Sequence, residues 1–303
     1  MTDLITLEVG LRELKVTQTE GQLLARQAAV PLPANAIEDG LPRSPFLPCL
    51  VEALGQAGIE GRLLRLAIPD VGIAVRDFVL PKIPPAELAS AVTYEAKRLV
   101  PIDPATVYYA WHARRIAAGT AVYVVAARRE LIDAYVSELG RLEIQVEHID
   151  LKPLALARGA EVVDGLLVEW GLGEATLVLV AGGRPRFFRT FLLDAQEGSL
   201  DQQLEEIAAG VSTLVKFVKS AGPGLVIGPS TPLSLAGRFL VLPGAEEQAY
   251  QRFGFAVRRP TPRPGWTPDF PWPLHLAALG LARQGRWENR LSLGQDGEVR
   301  VAA

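Results

Sequence analysis

Two stretches of the chain carry the same short pattern. Leu7 to Val16 reads LEVGLRELKV and Val168 to Leu177 reads VEWGLGEATL, so Glu8 stands two residues before Gly10 and Glu169 two before Gly171. The alternating apolar residues around each glycine read as strand, turn, strand. A turn of this kind can offer backbone N–H groups to a phosphate while its acid organises Mg²⁺ or water. In this chain both turns are poor cradles. Gly10 is followed by Leu11, Arg12 and Glu13, so two bulky side chains crowd the turn and a carboxylate repels a polyphosphate. Gly171 and Gly173 keep the second turn flexible, but Leu172 and Glu174 flank it. Both acids are glutamates, whose extra carbon–carbon bond carries the carboxylate up to ~1.5 Å further than an aspartate would. The pair reads as two hairpin turns on a scaffold that has lost its ligand.

No second constellation points to catalysis. The single cysteine, Cys49, stands at the start of a helix and reads as a buried small residue. It excludes an internal disulfide and a multi-cysteine zinc site. His112, His148 and His275 have no i, i+4 partner and read as structural. Arg128, Arg129 and Glu130 form the polar first turn of a helix, and no G-x-S-x-G elbow surrounds Ser230. Tyr94 and Arg98, one helical turn apart and off the apolar stripe of their helix, are the best candidates for a partner-contacting patch.

The composition supports a folded chain of about two domains' length. Its 303 residues are 49% hydrophobic and 21% charged, with a formal net charge of -3, which excludes a disordered chain and gives no global basic field for nucleic acid. The start, with Asp3 and Glu8 and no basic segment before an apolar run, is not expected to be a signal peptide. No window is long and apolar enough for a membrane helix, so no direct membrane insertion is expected.

The elements that must position these residues fall into three parts. Residues 1–71 read as a strand meander from Leu4 to Val30, a helix from Pro48 to Gly58 and a strand from Arg62 to Ile68. Residues 72–150 read as an inserted β-α-β-β-α-β unit of the ferredoxin-like kind, its first helix packing through Leu88, Val92 and Leu99. Residues 151–303 repeat the opening pattern: strands at Gly165–Trp170, Ala175–Val180 and Arg184–Leu193, a long helix near Leu200–Lys219 and a short strand at Leu225–Gly228. The proline-dense stretch Arg258–Pro273 reads as irregular surface chain, followed by a last helix at Leu274–Gln284.

Several stretches in order resemble the PilM family of type IV pilus assembly. They are PLPANAIEDG (Pro31–Gly40), LPKIPPAELASAVTYEAKRLVPID (Leu80–Asp103), VAARRELIDAYVSEL (Val125–Leu139), EHIDLKPLALARG (Glu147–Gly159), GRPRFFRTF (Gly183–Phe191) and LAALGLAR (Leu276–Arg283). The resemblance implies an α/β, actin-like fold: a duplicated ribonuclease H-like core carrying an inserted ferredoxin-like subdomain. It also implies a cytoplasmic ATP-binding adaptor, held at the inner membrane by capturing the tail of PilN, a membrane protein.

This chain departs from that family where nucleotide should bind. The family's Asp-x-Gly-Ser-Ser-Ser turn and its lysine map onto Glu8, Gly10, Leu11, Arg12, Glu13 and Lys15, its second Asp-x-Gly onto Glu169 and Gly171, and its adenosine loop onto Ile227-Gly228-Pro229-Ser230. The fourth subdomain is shortened after Leu193. Glu8, Gly10, Lys15, Glu169, Gly171, Gly173 and Gly228 are therefore expected to be vestiges of a nucleotide site, with ATP and Mg²⁺ as cofactors only if that site is still competent. The expected function is capture of a PilN-like tail, with Tyr94 and Arg98 at the contact. The alternatives are a weak ATPase of the same fold, or a type II secretion or cell-division adaptor. The oligomeric state stays open.

Overall fold

The computed structural model describes residues 3–194, 200–220 and 227–283. Two five-stranded sheets form its frame. In the first, β1 (Ile5–Val9), β2 (Glu13–Glu20) and β3 (Leu23–Pro31) run as an antiparallel meander. A short hairpin of β4 (Ile37–Glu38) and β5 (Leu41–Pro42) turns at Asp39-Gly40, where both residues have positive φ, as a two-residue hairpin turn of this hand requires. Helix α1 (Phe46–Ala57) follows, and β6 (Leu63–Ile68) returns parallel to β1.

The inserted lobe comes next: β7 (Ile73–Leu80), α2 (Pro85–Leu99), β8 (Val107–Ile116) and β9 (Gly119–Arg128). Val92 and Ala96 of α2 pack with Trp111, Val122 and Val124 into a small core of their own. Helix α3 (Arg129–Gly140) and β10 (Gln145–Leu151) complete the expected β-α-β-β-α-β order, but they do not complete the lobe. Strand β10 pairs parallel with β6, giving the first sheet the order β10-β6-β1-β2-β3, and leaves the lobe a three-stranded sheet, β7-β9-β8. Helix α3 belongs with the first sheet as well, since Leu131, Tyr135 and Leu139 join the cluster of Leu7, Phe46 and Leu66. The physical reason is burial: β10 ends in Ile149, Asp150 and Leu151, all buried against the central sheet.

The second half repeats the first. Strands β11 (Gly165–Trp170), β12 (Glu174–Ala181) and β13 (Arg184–Leu192) form a meander, reached through helix α4 (Lys152–Gly159). After α5 (Leu200–Ser220), β14 (Pro232–Gly237) lies parallel to β11, and after α6 (Ala245–Phe253), β15 (Ala256–Arg258) lies parallel to β14. The order β13-β12-β11-β14-β15 mirrors that of the first sheet strand for strand. Residues 225 and 226 of the expected strand at 225–228 lie outside the described residues; Ile227 and Gly228 are not in a strand, and the chain enters the sheet at Pro232 instead.

Helix α4 and the last described helix, α7 (Leu276–Ala282), cross between the halves. Every residue of α4 is buried, as befits a helix with no solvent face. It packs on β12 and β13 of the second sheet and on β10 and β6 of the first, while α7 packs on β1 and β6, so the two helices bridge the sheets. The proline-dense stretch is irregular and lies largely at the surface, as expected, but it is tied down. The Leu24 N–H donates to the Gly265 carbonyl, the Thr267 N–H donates to the Leu24 carbonyl at 2.8 Å, and Trp266 stacks on Trp272, strapping the second half to the edge strand β3.

Candidate functional site

The two acid-x-glycine turns meet between the sheets, and their geometry repeats. The Gly10 N–H donates to the Glu13 carbonyl at 2.8 Å, and the Gly171 N–H to the Glu174 carbonyl at 2.9 Å. Glu8 pairs in register with Lys15 and Ala67; Glu169 pairs with Thr176 and Ala236. The strand–turn–strand echo in the sequence is thus a true structural duplication.

A buried ionic cluster fills the space between the turns. Lys15 Nζ lies 3.5 Å from Glu8, 3.4 Å from Glu13 and 3.8 Å from Glu169. Lys152, from the first turn of α4, lies 3.5 Å from Glu8 and 2.9 Å from Glu169, and also binds Glu174. Except for Glu13, every member is buried. Glu174 goes further. Its Oε2 accepts from the backbone N–H groups of both Leu11 and Arg12, the latter at 3.2 Å.

Electrostatics follow from this packing. Burial raises the Glu8 carboxyl above its ordinary range, with Lys15 and Lys152 opposing and Glu169 and Glu13 adding to the rise. Burial would also raise Glu169, but Lys152 and Lys15 outweigh it and hold that carboxyl low. Both lysines are buried, which alone would depress them; the surrounding carboxylates hold both above the ordinary lysine value. Burial and the nearby Lys15 push His275, at the N-terminal cap of α7, down to about 3, so its imidazole is neutral.

Of the residues singled out from sequence, Glu8, Lys15 and Glu169 enter the cluster, and Gly10 and Gly171 shape its turns. Gly173, with φ of 63°, faces Arg12 of the opposite turn. Gly228 stands outside the cluster; its N–H donates to Thr231 Oγ1 at 3.0 Å. Tyr94 projects from α2 with 74% of its surface exposed, while the Arg98 guanidinium is engaged by Glu95 on the same helix. Lys152 and the turn-capping role of Glu174 were missed. The signal for Lys152 is a single lysine set in the apolar run Leu151–Ala157. The signal for Glu174 is that it stands three residues after its glycine, as Glu13 does.

No family model and no curated protein matches this chain. Solved structures do. The PilM-PilN type IV pilus biogenesis complex aligns over 94% of this chain and 98% of its own, with a TM-score of 0.73 at 22% identity. The cytoplasmic domain of EpsL, an inner membrane component of the type II secretion system of Vibrio cholerae, aligns over 96% and 98%, with a TM-score of 0.54 at 13% identity. The fold is actin-like. It is the fold that the PilM resemblance implied, down to the duplicated core.

Nucleotide in this actin-like cleft would need the turn amides free to receive a phosphate. The donor set does not fit one. Glu174 already occupies the amides of Leu11 and Arg12, and Glu13 adds a further carboxylate beside Lys15. Among the described residues no group of three or more His, Cys, Asp or Glu side chains is placed to hold a metal ion, and no helix is long and apolar enough to cross a membrane.

Proposed function

We propose that this chain is an actin-like adaptor of type IV pilus assembly that works without hydrolysing ATP. Two things support the reading: the whole-length likeness to the PilM-PilN complex, and the Glu174 carboxylate bonded to the turn that a phosphate would need. The second observation carries the nucleotide-free part. The weaker likeness to EpsL makes the secretion alternative second in order.

The proposed partner is the extended N-terminal tail of a PilN-like inner-membrane protein, which would hold the adaptor at the cytoplasmic face of that membrane. Such a tail gains apolar burial and backbone hydrogen bonds in a preformed groove beside the inserted lobe. Among the described residues, strand β7 ends the lobe's sheet and pairs only with β9, so its outer edge is the proposed docking edge. Tyr94 is the proposed aromatic anchor at the rim; Arg98, tied to Glu95, is the lesser contact. Titration of a PilN-like tail peptide from the same genome is the test. Binding by the wild type that weakens about thirtyfold in Tyr94→Ala supports both the role and the residue. Absence of binding by the wild type overturns the adaptor role, and equal binding by both proteins overturns only the choice of Tyr94.

A further inference from the structure

The amides of Leu11 and Arg12 converge on one oxygen of Glu174, and its other oxygen rests on the Lys152 ammonium. Two adjacent backbone N–H groups and a buried cation around one acidic group form a small oxyanion site. Its occupant here comes from the other half of the molecule, 163 residues beyond Leu11. Gly10 is what admits it. A Cβ at that position would lie 2.6 Å from Glu174 Oε1, so any larger residue would push the carboxylate out.

The duplicated fold makes the asymmetry informative. Glu13 occupies the position in the first turn that Glu174 occupies in the second, yet it pairs with Lys15 and is partly exposed. Among the described residues only the first turn is capped across the cleft, and the carboxylate that caps it also binds Lys152.

We propose that Glu174 is the built-in occupant of an oxyanion site and clasps the two halves of the chain together, so that removing its carboxylate uncovers a latent site for inorganic phosphate. The inference deepens the nucleotide-free part of the reading above and rests on it, but not on the adaptor role. The carboxylates of Glu8, Glu13 and Glu169 remain around the uncovered site, so its affinity for phosphate is expected in the millimolar range.

The test is thermal unfolding in a phosphate titration at constant ionic strength. Phosphate stabilises proteins weakly by exclusion from their surface, so saturation and the difference from wild type are the readout. Glu174→Ala should melt lower than wild type and recover in a saturable way, by about 5 °C at one hundred times the dissociation constant. The double variant Glu174→Ala with Lys152→Met should not recover. Equal, unsaturable shifts in wild type and Glu174→Ala overturn the proposal. A second measurement covers failure of Glu174→Ala to fold: hydrogen exchange at the Leu11 and Arg12 amides of the wild type. Strong protection of both, lost at least tenfold in Glu174→Leu, which has no acceptor, supports the clasp. Exchange at the rate of an exposed turn overturns it. Saturable binding of Mg-ATP by the wild type would instead overturn the nucleotide-free reading itself.

Discussion

Gly159 of α4 and Gly280 of α7 meet backbone to backbone at the helix crossing. A Cβ on Gly159 would stand 1.8 Å from the Leu276 carbonyl oxygen, and one on Gly280 would stand 1.9 Å from that of Ala155. The two helices can approach this closely only because neither carries a side chain at the contact. Beside it, Arg158 donates to the Gly280 carbonyl at 2.8 Å and pairs with the buried Asp150, fixing the crossing laterally.

Gly280→Ala should therefore be among the most damaging single-methyl changes in the molecule. Backbone on the far side cannot yield as a flexible side chain would, and a cost of at least about 3 kcal/mol is expected. Urea unfolding measures it. A midpoint unchanged from wild type would mean that the helices are further apart than described.

The ionic cluster predicts a large effect from one cation. Lys152→Met removes the cation that Glu8, Glu169 and Glu174 share, leaving Lys15 beside Glu8 and Glu169 and the turn amides beside Glu174. Breaking a buried pair on one side costs about 3–5 kcal/mol. Lys152→Arg keeps the charge but not the compact ammonium that reaches three carboxylates, and should fall between Met and wild type. Equilibrium unfolding of the three proteins at neutral pH gives the ranking; indifference to Lys152→Met would contradict the cluster.

His275 sets part of the acid sensitivity. Its value of about 3 in the folded state lies below the ordinary histidine value near 6.5, so the neutral form is favoured on folding. Its contribution is whole above pH 6.5 and is lost as pH falls from there toward about 3, because the unfolded chain takes up the proton first. The slope is roughly 1.4 kcal/mol per pH unit across that window. His275→Gln should flatten stability against pH by that amount between pH 6 and 4. An unchanged slope would contradict the burial of a neutral imidazole.

The inserted lobe makes a paired prediction. Val92 is fully buried in the lobe's small core, whereas Tyr94 on the same helix is exposed. Val92→Asp buries an unpaired charge and should open residues 73–128 to proteolysis. Tyr94→Ala should leave the melting temperature within about 1 °C of wild type. Proteolytic resistance of Val92→Asp would show that the helix face has been assigned wrongly.

Local features of this fold were legible in the sequence and long-range ones were not. The two acid-x-glycine turns and the stripe of Val92 and Ala96 are set by spacings of a few residues, and the structure repeats them. The partner of β10 was not legible, because a run such as Ile149-Asp150-Leu151 suits any buried parallel edge, and its pairing with β6 joins segments far apart in sequence. Strand β14 was missed because Pro232 and Gly237 frame it with residues that usually mark turns. The site was half visible. Glu8 and Glu169 stood out through their glycines, whereas Glu174 acts on amides 162 and 163 residues away and Lys152 reaches back to Glu8. Such distances leave no periodic trace. The strap through Trp266 was hidden for the same reason: prolines signal irregular chain and say nothing about what it lies against.

The Glu174 carboxylate holds the Leu11 and Arg12 amides that a bound phosphate would need. Calorimetric titration of the wild-type protein with Mg-ATP up to millimolar concentration tests this most directly. No saturable heat and no rise in melting temperature are expected. A saturable isotherm in that range, with a matching rise of about 5 °C at one hundred times the dissociation constant, would contradict this.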